Sequence, residues 1–535
     1  MTTSAASRQN TNSTSVTPST ARSTPAPGPA PVPARGQWRD WLALGLLMFP
    51  VLLVAVDNTA LTFALPAIAR SLETSGVQLL WIVDAYPLVL AGLLVAMGSL
   101  GDRIGRRRLL LIGSVGFAAV SAVTAFAPSA EWLIAGRAML GFFGAMLMPS
   151  TLSLIRNIFP DPNRRRLAVA IWAAGFSGGA ALGPIFGGWL VEQFWWGAIL
   201  LVAVPIMLPL LVFGPAFIPE SRDPRPGRVD MPSILLSLLV MVPVVYGIKE
   251  LATEGFGTIP VFLIGFGLAM GFIFVRRQLR IASPLLDMSL FRNRVFSTAI
   301  TANVLALFSF NGFILFLAQH LQLLEGMTPS ASGVAMIPAL LATVVAGLVA
   351  VPLVRKVRPG FVVAGGLALS ATGHGLVAFG NHSAGPALLL GALLILALGV
   401  GTAETISNDL ILGAVPAEKS GAAAAISETG YEVGSLLGTA VLGSILTASY
   451  QHNLLFPAGL AEATSGTAAH QAGETLAGAM ELAATLPAPL AEALRGAARA
   501  AFDSGVHITA GIALVLMAGA AVLAAVALHR VPKAH

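Results

Sequence analysis

Asp57, Asp84, Glu428, Glu432 and Arg137 all interrupt runs of apolar residues. A charge held in hydrocarbon costs roughly 2.5–3.5 kcal/mol or more and is seldom there without a partner or a task. A carboxylic acid in apolar surroundings has its pKa raised by as much as ~3–5 units, so it takes up and releases protons near neutral pH. Its anion is also a counter-charge for an organic cation. One carboxyl does not hold both at once, and that competition is the simplest device for exchanging one for the other. Glu428 and Glu432, four residues apart, share one helical face and are expected near mid-membrane. Asp57 and Asp84 are expected at similar depth in the outer half of the first two runs. Arg137, inside LIAGRAMLGFFGAMLMP, is always charged and needs a carboxylate, carbonyls or a water-filled cavity. Two plainer readings stand beside this one: the acids only pair with Arg137 to tie helices together, or Arg137 snorkels to an interface. Glu404 and Asp409 are read as caps at the inner end of their helix.

The elements that carry these residues are membrane helices. Of 535 residues, 56% are hydrophobic and only 10% charged, far below the ~25% charged share of a soluble domain. Apolar runs near 42–64, 79–99, 109–127, 132–155, 167–191 and 196–217 are each long enough to cross a bilayer. A second set follows near 231–249, 258–275, 295–318, 331–353, 360–380, 386–408, 421–447 and 505–528, making fourteen. With the N-terminus inside, the arginines collect in the cytoplasmic segments, and only Arg70, Lys249, Arg495 and Arg499 remain outside. The outer segment 449–504 is unusually long and Ala-rich. It serves either as a cap on an outer vestibule or as an inert surface hairpin.

Two glycine-rich motifs have mechanical readings. Gly98-Ser-Leu-Gly101-Asp102-Arg103-Ile-Gly105-Arg106-Arg107-Arg108 joins the second and third runs. Its glycines permit a tight turn, and Asp102 is expected to pair with an arginine or cap a helix as a conformational lock. A topology-setting basic loop is the simpler account. The fifth run contains Gly178, Gly179, Gly183, Pro184, Gly187 and Gly188. Small residues at this spacing let membrane helices touch backbone to backbone, and the proline bends the segment. The run reads as a hinge or seal between two halves.

Several functions are excluded. The net charge of +6 is spread over short loops, which reads as topology rather than nucleic-acid binding. There is no cysteine, hence no disulfide or thiolate metal site. The eight histidines lack metal-ligand spacing, and Glu418 stands where a phosphate-binding loop at 413–420 requires glycine. No cofactor, metal or enzymatic activity is expected. Residues 1–40 read as a disordered cytoplasmic tail without a signal peptide. Abundant Ala and Gly with only four lysines points to a GC-rich bacterial source.

With these residues in place, segment 41–530 resembles the major facilitator superfamily, and within it the fourteen-helix drug:proton antiporters, including quaternary ammonium exporters. VDNTALTFALPAI (56–68), GSLGDRIGRRR, LIAGRAMLGFFGA, GGAALGPIFGG and AAISETGYEVGSLLGTAVLGS (424–444) carry the resemblance. It implies an all-α polytopic membrane protein. A six-helix bundle (41–217), a linker with two extra helices (218–294) and a second six-helix bundle (295–530) would rock around a central cavity. It also implies that Asp57, Asp84, Glu428 and Glu432 face the cavity or a proton path, and that the glycine-proline motif belongs to exporters. Two departures stand out: the tenth span has no acid, and the second copy of the loop motif (347–358) lacks its Asp. The expectation is a monomer in the cytoplasmic membrane, both termini inside. It exports lipophilic, cationic drugs or antiseptics against protons, driven by the proton motive force. Trp81, Tyr86, Met146, Met148, Phe308 and Phe310 are candidate cavity-lining residues, with lipid-facing packing the plainer role for any single one of them. Rival readings are an exporter of one natural product, an importer, and a non-transporting scaffold.

Overall fold

The structure is a computed structural model. It describes residues 37–222, 230–253, 257–281, 284, 286–380, 385–415, 420–464 and 466–532, with a few side chains inside helices outside the description. The expected N-terminal tail lies outside the described residues up to position 36.

Among the described residues the chain is helical throughout. The first half holds α1 (Gln37–Leu72), α2 (Gly76–Ile104), α3 (Arg106–Thr124), α4 (Ala130–Gly144), α5 (Leu147–Ile158), α6 (Pro162–Gln193), α7 (Ala198–Leu201) and α8 (Ala203–Phe217). Next come α9 (Met231–Thr253) and α10 (Thr258–Gln278). The second half holds α11 (Arg294–Gln319), α12 (Pro329–Lys356), α13 (Pro359–Phe379), α14 (Pro386–Gly413), α15 (Ser420–Leu437) and α16 (Gly443–Asn453). Three short helices, α17 (Leu460–Ala463), α18 (Gly466–Glu474) and α19 (Leu476–Thr485), precede the long α20 (Ala488–Ala527). Thirteen helical segments among the described residues are long and apolar enough to cross a membrane. The 32-residue α6 stands in the place of the fifth expected span, with its side chains described in part.

Helix starts follow local chemistry. Ser75 and Gln78 form a reciprocal capping box on α2. Asp161, Asn293 and Thr328 accept backbone N–H bonds at the starts of α6, α11 and α12. Proline opens α6, α12, α13 and α14, where its missing N–H costs nothing. Several helices overrun their apolar cores: α20 has 40 residues and α1 has 36, against the ~20 that span ~30 Å of hydrocarbon.

Each half has its own apolar core. One is built on Leu47, Val54, Leu94, Phe117 and Leu140, the other on Phe296, Phe313, Leu367, Leu396 and Val506. Helices α9 and α10 pack on each other through Gly247 and Gly267. They dock on α2, where Ser237 donates to the Gly92 carbonyl at 3.0 Å. Most of the α10 surface, including Phe262, Leu268 and Phe272, remains exposed, as expected of a helix facing lipid.

Hydrogen bonds at the helix ends give the molecule two distinct poles. At the arginine-rich pole Arg106 N–H meets Ser221 O, Asn293 reaches Ala414 O, and Arg358 reaches His529 O. At the far pole Gln78 bonds Glu131, and Trp195 donates to Ala125 O. The two halves meet towards the far pole. There Ser330 bonds Glu192 and Gln471 bonds Glu73. The segment 449–504 is a packed helical cap. Leu476, Leu482 and Phe502 are buried in the second-half core, and Tyr450 Oη donates to Ala472 O at 2.9 Å. Through Gln471 and Glu73 the cap also touches the first half, so the segment packs on both halves.

Candidate functional site

Arg137 and Asp57 form a buried ion pair at 2.7 Å, with side-chain exposures of 2% and 5%. The Arg137 Nε–H donates to the Ile82 carbonyl at 3.2 Å, and the guanidinium lies 4.6 Å from the Tyr86 ring centroid. Tyr86 fits there because Gly141 and Gly144 leave room for α2 against α4. Leu65 of α1 lines the same pocket as Gly76, Leu79 and Leu80 of α2. Counted down from that level, Asp57 and Asp84 lie at similar depth, as their spacing predicts. Arg137 is therefore no snorkelling residue.

Asp84 belongs to a different node. It is fully buried and pairs with Lys249 Nζ at 2.9 Å. The Lys249 ammonium also sits 4.0 Å from the Trp81 ring centroid. On the other side Thr439, from the second half, donates its hydroxyl to Asp84. Thr439 lies in a π-helical turn, Gly438–Leu442, between α15 and α16, a local distortion that often marks a functional position. The expectation for Lys249 is corrected here. It is not an outer-loop topology charge but a buried partner, 1% exposed, because α9 continues past it to Thr253 and rotates its side chain against α2.

The third node is acidic. Glu428 and Glu432 lie on one face of α15, and Glu404 of α14 joins them, close enough to Glu428 for the two carboxyls to repel. Among the described residues none of the three has a cationic side-chain partner. Glu404 is not an end cap: α14 continues nine residues beyond it to Gly413. Asp409 is exposed near that C-terminal end, where the free backbone groups are carbonyls that a carboxylate does not cap. Beside the acids on α15, Tyr431 reaches across to the first half and meets Phe176 of α6 edge-on at 5.9 Å, and Phe176 stacks on Trp172 at 6.3 Å. Sequence reasoning missed this aromatic row. Of the residues it named for the cavity, Tyr86, Met146, Met148 and Phe308 are buried within the halves. A cleft of ≈520 Å³, its open mouth included, lies between the Asp57 and Asp84 nodes. Asn58, Thr62, Arg137, Asn311, Ser435 and Thr439 line it. No group of residues with metal-binding geometry occurs among the described residues.

The loop motif is fastened within its own half, and the acid is unexpected. Glu220, after α8, accepts the Arg107 backbone N–H at 3.1 Å and lies 3.8 Å from the Arg107 guanidinium. Arg107 also reaches Pro215 O and Ile218 O. Gly105 has φ +109°, a backbone conformation that favours glycine, and the Glu220 carboxylate occupies the space beside it. Gly101 packs on Leu109 and Gly98 faces Pro149. Arg103 is exposed and Arg106 half-buried. The Asp102 side chain, expected to be the locking acid, lies outside the described residues.

The glycine-proline run has two faces. Gly179, Gly183 and Gly187 lie against Ala55, Thr59 and Ala60 of α1. Gly188 and Pro184 meet Pro329 and Gly333 of α12, across the seam between halves. One helix therefore presents a close-packed face to its own half and another to its opposite.

Two halves of membrane-length helices, a linking helix pair and buried charges along the seam define a polytopic membrane transporter. The chain belongs to the Major Facilitator Superfamily, whose family model matches residues 47–439. It is 52% identical to the multidrug efflux pump LfrA of Mycolicibacterium smegmatis, over 92% of this chain and 97% of that relative. It is 36% identical to the methyl viologen resistance protein SmvA of Salmonella typhimurium, over 90% and 97% of the two chains. To a tetracenomycin C resistance and export protein of Streptomyces glaucescens it is 33% identical, over 91% of each. The same fold occurs in a bacterial homologue of the human lysosomal transporter Spinster. That match has a TM-score of 0.65 at 17% identity and covers 94% of this chain and all of that one.

Proposed function

We propose that the protein exports lipophilic, cationic drugs or antiseptics across the cytoplasmic membrane in exchange for protons. The arginine-rich pole lies in the cytoplasm by the positive-inside rule, so the seam is closed towards the outside in this conformation. The observation that carries the reading is the acidic node. Glu404, Glu428 and Glu432 come together with no cationic side-chain partner among the described residues, next to Tyr431, from which Phe176 and Trp172 continue an aromatic row. Crowded carboxyls of this kind accept either protons or an organic cation, and aromatic faces add attraction for the cation. Relatives named for multidrug efflux and for methyl viologen, itself an organic cation, support the cargo class. Inward movement of one positive charge through 100 mV supplies about 2.3 kcal/mol.

The test is reconstitution in liposomes with an imposed pH gradient. Ethidium or a quaternary ammonium compound is expected to trigger proton movement, and Glu428→Gln and Glu432→Gln to abolish it. A wild type silent towards every lipophilic cation offered sinks multidrug cation export. A second reading, a dedicated exporter of one natural product, draws on the relative named for tetracenomycin C. It predicts flux of a single cargo, insensitive to the cargo's charge.

A further inference from the structure

Lys249 comes from neither half of the transporter. It sits on α9, which docks on α2 through Leu238 and Ser237. Its ammonium reaches 2.9 Å from an Asp84 carboxylate oxygen and 4.0 Å from the Trp81 ring centroid. Tyr246 packs on the same indole at 5.9 Å. A carboxylate beside an aromatic face is the recognition chemistry for ammonium groups in general. Here a side chain of the protein fills it. Thr439 of the second half touches the same carboxylate, so the contents of this seat are tied to the seam.

We propose that Lys249 is a tethered cation: it occupies the seat that Asp84 and Trp81 offer to an organic cation, and cargo binds there only when Lys249 leaves. The inserted helix pair would then be more than a linker. It carries a built-in competitor that keeps the seat filled whenever no cargo is present and sets how strongly a cation must bind to displace it. This inference rests on the cargo being cationic, as proposed above. A purely structural pair makes the opposite prediction, since removing the lysine would leave Asp84 buried without compensation and impair the site.

The experiment is equilibrium binding of radiolabelled tetraphenylphosphonium to purified protein in lipid nanodiscs. Wild type, Lys249→Met, Lys249→Gln, Lys249→Arg and the double variant Asp84→Asn/Lys249→Met are compared. Lys249→Gln keeps a hydrogen-bond donor for Asp84 and guards against a variant that fails to fold. If the seat stands open one time in ten or less, removing the competitor tightens binding about tenfold or more. That gain is expected in Lys249→Met and Lys249→Gln, absent in Lys249→Arg, and lost in the double variant. Unchanged or weaker binding by monodisperse Lys249→Gln overturns the proposal, and so does a Lys249→Gln protein that binds no cation at all. Proton release by wild-type liposomes judges the export reading separately, so the two failures are told apart.

Discussion

At the residue scale, the two aspartates and the glutamates do different things. Asp57 is neutralised within one half by Arg137, and Asp84 is held from two directions by Lys249 and Thr439. Breaking a buried pair by removing one member leaves an uncompensated charge and costs about 3–5 kcal/mol. Arg137→Met is therefore expected to lower the thermal unfolding midpoint in detergent sharply. Asp57→Asn/Arg137→Met, which leaves no orphaned charge, is expected to recover most of the loss. If the single variant melts with wild type, the pair is not what holds α1 to α4.

At the element scale, α6 makes a prediction with its own control. A Cβ at Gly187 would fall 2.9 Å from the Ala60 backbone, whereas one at Gly178 meets nothing within 4 Å. Gly187→Ala must part α1 from α6. Gly178→Ala is expected to be neutral or to gain about 0.5–1 kcal/mol from helix propensity. Melting curves of the two variants that coincide would refute backbone-to-backbone packing on that face. The inserted pair is clamped elsewhere, by Asp230 before α9 and Arg277 at the end of α10, 2.7 Å apart. The hydrogen bond from Arg277 holds the Asp230 carboxyl below its usual range. A depressed folded pKa contributes stability that is fully present at neutral pH and lost as pH falls through that depressed value. Asp230→Asn is thus expected to loosen the pair at pH 7, seen as faster proteolysis of the 218–230 linker. The difference from wild type is expected to vanish in strong acid.

At the scale of the whole molecule, the seam is closed at the far pole, where Glu192 meets Ser330 and Gly188 meets Pro329. The chain has no cysteine of its own, so Glu192→Cys/Ser330→Cys introduces the only thiols. A short bis-methanethiosulfonate cross-linker, which joins the two thiols through disulfides, is expected to link them in the resting protein and stop transport, with reductant restoring it. Full activity in the cross-linked state would mean that this seam does not open during the cycle.

Much of this was legible in advance. A bilayer admits only helices whose backbone is satisfied internally, so hydropathy alone located the spans and arginine placement alone separated the poles. Intramembrane acids stood out because a lone charge there is costly. The glycine spacing announced close helix packing, though not that α6 shows one face to α1 and another to α12. Partners were not legible. Lys249 lies 165 residues from Asp84 in sequence, Glu220 lies 113 from Arg107, and Glu404 joins Glu428 only through the crossing of α14 and α15. Each pairing depends on the rotation and crossing of helices, which many small contacts between distant segments set together. A linear pattern records which face of a helix is polar, but not which neighbour that face meets. The sequence by itself therefore determined a membrane transporter with acids along its helices, and the tertiary structure alone decided which acids a cation neutralises and which have none beside them among the described residues.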